Sequence, residues 1–184
     1  AGFGLAGQAL AIGAAGCLLN YVRETQKSAL PHLRGIRTEL REDSLLLDAA
    51  TRRNLELDSS LSGRSDSTLI DVLDRTATAM GGRELRRWIQ RPLRGVEPRA
   101  LRLQAIATLI DAGSHPSLHT LLRKVGDVER ILARVALRSA RPRDLSQLRE
   151  ALGCLPELQT LIATLDAPLL QRLAAGVGTH PAIH

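Results

Sequence analysis

The sequence predicts a mainly α fold, a bundle of long helices joined by short connections. Apolar residues recur at helical spacing through most of the 184 residues. Proline and glycine separate these runs, and Pro98, Pro116 and Pro142 each fall where the first turn of a helix tolerates a missing N–H. No repeat of fixed period and no low-complexity segment interrupts the pattern. An antiparallel helical bundle is therefore the expected architecture.

The first part of the chain begins with one helix and then becomes irregular. Apolar side chains follow a helical period from residue 8 to residue 26. Pro31 and Gly35 then interrupt the chain. The apolar run at residues 44–47 has the length of a buried strand. One or two short strands are therefore predicted near residues 36–47.

A capping residue and two glycines mark the next helices. Asp48 should begin a helix over residues 49–57, because its carboxylate can accept hydrogen bonds from the N–H groups of the first turn. Residues 58–66 have the composition of a loop, and the clearest internal boundary is predicted there. Further on, Gly81-Gly82 is expected to break the chain before a helix over residues 83–90.

The C-terminal half predicts two further amphipathic helices. Apolar stripes run along residues 127–136 and along residues 142–153. Pro156 is expected to end or kink the second of these helices, because it lacks an N–H and its ring crowds the preceding turn.

The charge balance and the cysteines restrict the function classes. The chain has a formal net charge of +6, and residues 63–110 carry nine basic and five acidic groups. Such an excess can favour a polyanion, but a solvated surface explains it as well. Cys17 and Cys154 lie far apart without a CxxC pattern, which is typical of a reducing compartment, so a cytoplasmic location is expected. The longest apolar run, residues 14–19, is too short to cross a bilayer, and no membrane partner is predicted.

The sequence contains none of the common catalytic or nucleotide-binding motifs. It contains no GxxxxGK[ST] phosphate loop, GxGxxG, HExxH, GxSxG or EF-hand pattern. His115 and His119 have the spacing of two metal ligands on one helical face, but no Cys or third His lies near them, and Pro116 puts the pair at a helix start. No catalytic, cofactor-binding or metal-binding residue is therefore predicted.

One set of basic residues indicates a contact surface. Four arginines follow the spacing i, i+4, i+8 and i+11, which gathers them on one helical face and its C-terminal extension; they are Arg83, Arg87, Arg91 and Arg94. Leu85, Trp88 and Ile89 would pack on the opposite side. The guanidinium groups could bind DNA phosphates, or they could pair with acidic groups of another domain. Both interpretations stay open at this point.

Many short blocks occur in an order that resembles one family. Residues 47–57 read LDAATRRNLEL. Further blocks follow at Thr68-Leu69, Val72-Leu73-Asp74, Met80-Gly81, Arg91-Pro92-Leu93, 125–134, 140–145 and 155–158. These blocks resemble the opening of the core domain of bacterial MutS mismatch-repair proteins. Upstream, residues 14–19 and 30–32 resemble the end of the connector domain that precedes it.

The resemblance implies a division of the chain. Residues 1–30 would be the C-terminal end of the connector domain, and residues 31–165 the N-terminal part of the core (lever) domain with its long lever-type helices. Residues 166–184, where the resemblance fades, would begin the continuation towards the clamp and be truncated. The chain opens on Ala1 without an initiator Met, as expected of a piece of a longer protein.

The resemblance also implies a function. MutS proteins are homodimeric ATPases that bind mismatched duplex DNA and recruit downstream repair proteins, and their core domain couples the ATP state to DNA binding. ATP and Mg would belong to the full-length protein, and other MutS domains would be partners of this chain. The chain has no Phe-x-Glu mismatch-reading element, since its only Phe is Phe3, and no phosphate loop. It should therefore be a non-catalytic core fragment.

Two other functions remain as alternatives. The chain could be a stand-alone basic helical module that binds nucleic acid, or a helical protein-interaction scaffold. A nucleic-acid-binding module should lose affinity steeply with salt, whereas a scaffold should ignore DNA.

Overall fold

The computed structural model describes residues 5, 7–26, 35–36, 38, 43–64 and 67–178. The chain divides into two compact units, Ala1–Leu40 and Arg41–His184. Within the described residues the secondary structure is helical, and the prediction of a mainly α fold is confirmed. The first unit contains α1 (Ala9–Gln26). The second contains α2 (Ala49–Asn54), α3 (Leu69–Leu73), α4 (Ala79–Gln90), α5 (Val96–Asp111), α6 (His115–Val125), α7 (Val128–Ala136), α8 (Pro142–Ala163) and α9 (Pro168–Gly176).

α2 begins where the sequence predicts it but ends earlier. The Asp48 carboxylate accepts a hydrogen bond from the Thr51 N–H at 2.6 Å, so the predicted cap is confirmed. The helix stops at Asn54 rather than at residue 57, because Glu56 takes a left-handed conformation with φ 46°. The turned chain places Leu57 in the interior, where only 7% of it is exposed. Burial of Leu57 therefore overrides the continuation of the helix.

The predicted strand near residues 36–47 is wrong for the part that the structure describes. Residues 43–47 form a single antiparallel bridge, Ser44 with Leu93, flanked by a hydrogen bond from the Leu45 N–H to the Pro92 carbonyl at 2.8 Å. Pro92 has no N–H to donate in return, and the partner segment enters α5 at Val96, so the ladder cannot lengthen. The remaining residues of the prediction include several that lie outside the described part.

The loop at residues 58–66 is not the boundary that its composition predicts. It lies inside the second compact unit, and the chain on either side of it is joined by backbone hydrogen bonds. The Leu69 N–H donates to the Glu56 carbonyl at 2.9 Å and the Ile70 N–H to the Leu57 carbonyl at 3.0 Å. Leu57 and Ile70 are both buried. The described residues of the loop, 58–64, therefore follow one buried segment and precede another to which it is hydrogen-bonded.

The glycine pair at 81–82 does not break the chain, contrary to the prediction. α4 begins after Thr78, whose hydroxyl accepts from the Gly81 N–H at 3.0 Å, and runs through both glycines. A Cβ at Gly81 would lie 3.2 Å from the Thr78 hydroxyl, and one at Gly82 would lie 3.2 Å from an Asp74 carboxylate oxygen. The two glycines are explained by this close approach of the preceding turn rather than by a helix end.

The core of the second unit is formed by α5, α6, α8 and α9, which are called here the four-helix bundle. Its buried side chains are Ala105, Leu121, Leu158, Ile162, Leu165, Ala167, Leu170 and Ala174. Pro98, Pro116 and Pro142 lie in the first turns of α5, α6 and α8, as predicted. α8 continues through Pro156 to Ala163, so of the two predicted outcomes the helix end is wrong, and the kink stays a prediction. Leu158 and Ile162 are buried just beyond the proline, and this packing keeps the chain helical.

α7 lies on α8 outside this bundle. Gly126 precedes it with φ 68° and ψ −156°, and Arg138 follows it with φ 54°. Ile131 is its one buried side chain, at 1% exposure. Leu132 and, on α8, Leu145 are each about half exposed, so part of the two predicted apolar stripes faces solvent.

Candidate functional site

The strongest polar arrangement in the described part of the chain joins α4 to the start of α7. The Arg83 guanidinium donates two hydrogen bonds to the Asp127 carboxylate, at 2.9 and 2.8 Å, and a third to Glu129 at 2.6 Å. Asp127 is also the N-cap of α7, where it accepts from the Arg130 N–H. The side chains of Arg83 and Asp127 are 37% and 23% exposed. This fork geometry fixes the direction of both partners.

A second arginine pair joins α7 to α8. Arg134 near the end of α7 donates to the Asp144 carboxylate through Nε at 2.9 Å and through a terminal nitrogen at 2.7 Å. Asp144 lies in the first turn of α8 and also accepts from the Arg141 N–H at 2.9 Å. Asp144 is thus held by both helices. Together the two pairs connect α4, α7 and α8 in sequence.

These contacts shift the pKa of the carboxyl groups. Hydrogen bonds from Arg83 lower the pKa of Asp127 below its usual value, and hydrogen bonds from Arg134 do the same for Asp144. The pKa of each arginine is raised by the same bonds. Since both aspartates are ionised more readily in the folded chain than in the unfolded chain, each stabilises the fold above the ordinary aspartate pKa of about 3.9.

Arg83→Gln is expected to weaken the dependence of stability on acid pH. In the parent chain the contribution of Asp127 is present above about pH 4 and is lost as the pH falls through its depressed folded pKa. Without Arg83 the pKa of Asp127 returns towards its ordinary value, so less stability remains to be lost. Urea unfolding at a series of pH values from 7 to 2.5 would show a lower midpoint at pH 7 and a shallower decline in acid.

The matched control is Arg149→Gln, which removes the same charge from an exposed position on α8. It should leave the pH profile of the urea midpoint parallel to that of the parent chain. An Arg83→Gln profile that is also parallel to the parent would contradict the assignment of Asp127 to this pair.

The four predicted arginines occupy different positions in the structure. Arg83 and Arg87 are both on α4, but α4 ends at Gln90, so Arg91 is its C-cap and Arg94 lies in the segment that leads to α5. Arg87, Arg91 and Arg94 are exposed, whereas Arg83 is turned to the carboxylates of α7. Arg83 therefore pairs with acidic groups of the same compact unit, which neither of the two predicted interpretations had named. Contact of the other three with DNA or with another domain stays a prediction.

The opposite side of α4 is less buried than the sequence suggests. Trp88 is 37% exposed, and its ring N–H donates to Glu84 at 2.6 Å. The Arg102 guanidinium of α5 lies 3.6 Å from the centre of its ring. Arg102 thus links α5 to α4 by a cation–π contact.

An open cavity of about 520 Å³ lies at the start of α4. Its charged lining is one carboxylate, Asp74, and three arginines, Arg83, Arg86 and Arg130. His119 contacts the Arg75 carbonyl at 3.2 Å, and no group of three possible metal ligands occurs where side chains are described. None of the described helices has the length and apolarity required to cross a membrane.

Local sequence patterns could not reveal the acidic partners. Asp127 is 44 residues from Arg83, so no helical spacing relates them. The pair Arg134–Asp144 is separated by ten residues and a turn. The only local signal is that Asp127 and Asp144 each fall at a helix start, where an acidic residue is favoured.

Over the described residues, these features define a helical domain of the bundle class in which arginine–carboxylate pairs join α4 to α7 and α7 to α8. The sequence matches the family profile of MutS domain III over residues 50–180. The chain therefore belongs to the MutS family of mismatch-repair proteins and carries the core (lever) domain. The match extends past residue 165, where the resemblance of single blocks fades, and it does not include residues 1–30.

Proposed function

We propose that the chain is the non-catalytic core (lever) part of a MutS-like protein that binds mismatched DNA and couples its ATP state to DNA binding. Within it, residues 1–30 are the end of the connector domain, residues 31–165 are the N-terminal part of the core, and residues 166–184 lead towards the clamp. The family match over residues 50–180 supports the assignment to the core domain. The partners are mismatched duplex DNA, a second subunit, other MutS domains and downstream repair proteins, in the cytoplasm. ATP and Mg bind elsewhere in the full-length protein.

α8 is the feature that carries the proposal. It is one continuous helix of 22 residues, which corresponds to about 33 Å. It contacts α6, α7 and α9, so three other helices are attached along it. When a long helix moves, the neighbours attached to it move as well. Such a helix can couple two distant ligand sites, so that binding at one site changes the affinity at the other.

The ion pairs extend this connection to α4. A displacement of α4 acts on α7 through the three hydrogen bonds of Arg83, and α7 acts on the start of α8 through Arg134. In a bidentate pair both nitrogens must stay aligned with the carboxylate, so the two helices keep their relative orientation as well as their distance when one of them moves. The path from α4 to α8 therefore consists of directed contacts between side chains.

Arg134→Gln in the complete MutS-like protein is expected to weaken the coupling between ATP and DNA. The measurement is fluorescence anisotropy of a labelled G·T duplex with and without ATP. In coupled systems the ratio of the two affinities is on the order of 5- to 150-fold, and we expect it to fall towards one in the variant. Arg149→Gln, with the same charge change, should keep the ratio of the parent protein.

The other outcomes separate the alternative functions. An unchanged ratio in Arg134→Gln would contradict the path through α7. A complete protein that binds the duplex equally well with and without a mismatch, in a strongly salt-dependent manner, would favour the basic nucleic-acid-binding module. A complete protein that ignores the duplex would favour the scaffold.

A further inference from the structure

α7 is held to the rest of the second unit by few apolar contacts. Of its nine residues only Ile131 is buried, at 1% exposure. Leu132 is 50% exposed and Val135 is 40% exposed. By contrast, the four-helix bundle shares a continuous set of buried side chains from all of its helices. Apolar burial therefore holds α7 mainly through Ile131, with Val128 and Ala136 only partly buried, whereas several buried side chains hold the bundle together.

The backbone on both sides of α7 has left-handed residues. Gly126 has φ 68° and ψ −156°, a combination that is open to glycine, and Arg138 has φ 54°. The Ser139 N–H closes the C-terminal end by donating to the Arg134 carbonyl at 2.9 Å. Each side thus has a sharp turn at a single residue. Terminal residues of this kind absorb the torsional change when a helix moves as a unit.

The remaining attachment of α7 is ionic. Arg83 ties its start to α4, and Asp144 ties its end to α8. The arginine side chains of these two pairs are 37% and 40% exposed, so solvent and ions reach them. Ion pairs in such positions weaken as salt screens the charges, since the Debye length falls to about 3 Å at 1 M.

We propose that residues 126–139 form a latched segment, in which α7 opens as a unit without unfolding the four-helix bundle. The two latches are the Arg83–Asp127 pair and the Arg134–Asp144 pair, and they set how often the segment opens. Opening disconnects α4 from α8 and exposes Ile131. Higher ionic strength favours the open state, because it weakens both latches while the apolar bundle is retained. The proposal does not depend on the function proposed above.

Hydrogen exchange of the 184-residue chain tests this proposal directly. Exchange is followed by mass spectrometry at 0.05 M and at 1 M NaCl, with an unstructured peptide as the reference for intrinsic rates. We expect amides of residues 129–137 to exchange about tenfold faster at high salt. A change of this size corresponds to losing the stabilisation that about one charged hydrogen bond provides. Amides in the interior of α6, α8 and α9 should change little.

Two variants and one control identify the latches. Arg83→Gln and Arg134→Gln should each raise the exchange of α7 at 0.05 M NaCl and reduce its salt dependence, while Arg149→Gln should behave like the parent chain. Equal changes in α7 and in the four-helix bundle would show that α7 does not open separately. Exchange of α7 that responds neither to salt nor to the two variants would overturn the proposal.

Discussion

Leu170→Ala is expected to lower the free energy of unfolding by about 3 kcal/mol, a typical cost for removing a buried leucine side chain. Leu170 lies on α9 with 5% of its surface exposed, inside the core that also contains Leu158 and Ile162 of α8. The alanine leaves a cavity in this core, which the surrounding side chains fill only in part. Urea unfolding followed by circular dichroism measures the change.

The control for this prediction lies on the same helix. Leu173 is 53% exposed, so Leu173→Ala removes the same atoms from a position that is already in water. Its cost should be below about 1 kcal/mol. An equal loss of unfolding free energy in the two variants would contradict the assignment of Leu170 to the buried face of α9 and of Leu173 to its exposed face.

Gly126→Ala is expected to destabilise the chain by about 2 kcal/mol, within the range for a non-glycine residue in a sparsely populated backbone region. Its φ of 68° with ψ −156° disfavours any Cβ, and a Cβ there would lie 2.4 Å from the Gln147 side-chain nitrogen. The glycine makes the turn that places Asp127 at the start of α7. The variant should therefore also weaken the Arg83–Asp127 pair. Urea unfolding gives the stability change.

A comparison with a second glycine separates the cost of backbone strain from the cost of the clash with Gln147. Gly113 also has a positive φ, 60°, but a Cβ there meets no atom within 4 Å. Gly113→Ala should cost less, about 1 kcal/mol, because strain is its only contribution. In the double variant Gly126→Ala/Gln147→Ala the clash is absent, so any remaining cost is backbone strain. A double variant as stable as Gln147→Ala alone would refute the strain at Gly126.

Local chemistry in the sequence predicts those features that depend on a few neighbouring residues. The Asp48 cap and the prolines in the first turns of α5, α6 and α8 need only their own segments, and these predictions are confirmed. The glycine pair at 81–82 does not break its helix and Pro156 does not end its helix, so this part of the local reasoning fails at both positions. Each has a poor helix propensity that packing overrides, through the close turn at Thr76–Thr78 in one case and through buried Leu158 and Ile162 in the other.

The candidate site depends even more on contacts that local sequence patterns cannot predict. The spacing of Arg83 and Arg87 predicts that both lie on α4, and they do. The carboxylates that meet Arg83 come from a segment 44 residues away, so only the tertiary structure brings them together. Family blocks place the two segments in one domain, but they do not assign a partner to any single arginine. Sequence reasoning therefore found the basic side of this contact and missed the acidic side.

Pro156 gives α8 an uneven bending stiffness. Because the proline has no N–H, the Leu152 carbonyl lacks its usual helical hydrogen bond, and the backbone resists bending least at this point. On one side of it Asp144 fixes α8 to α7, and on the other Leu158 and Ile162 fix it to the bundle. When its two ends are displaced, we therefore expect α8 to bend first near residue 156, while each half moves with the helices attached to it.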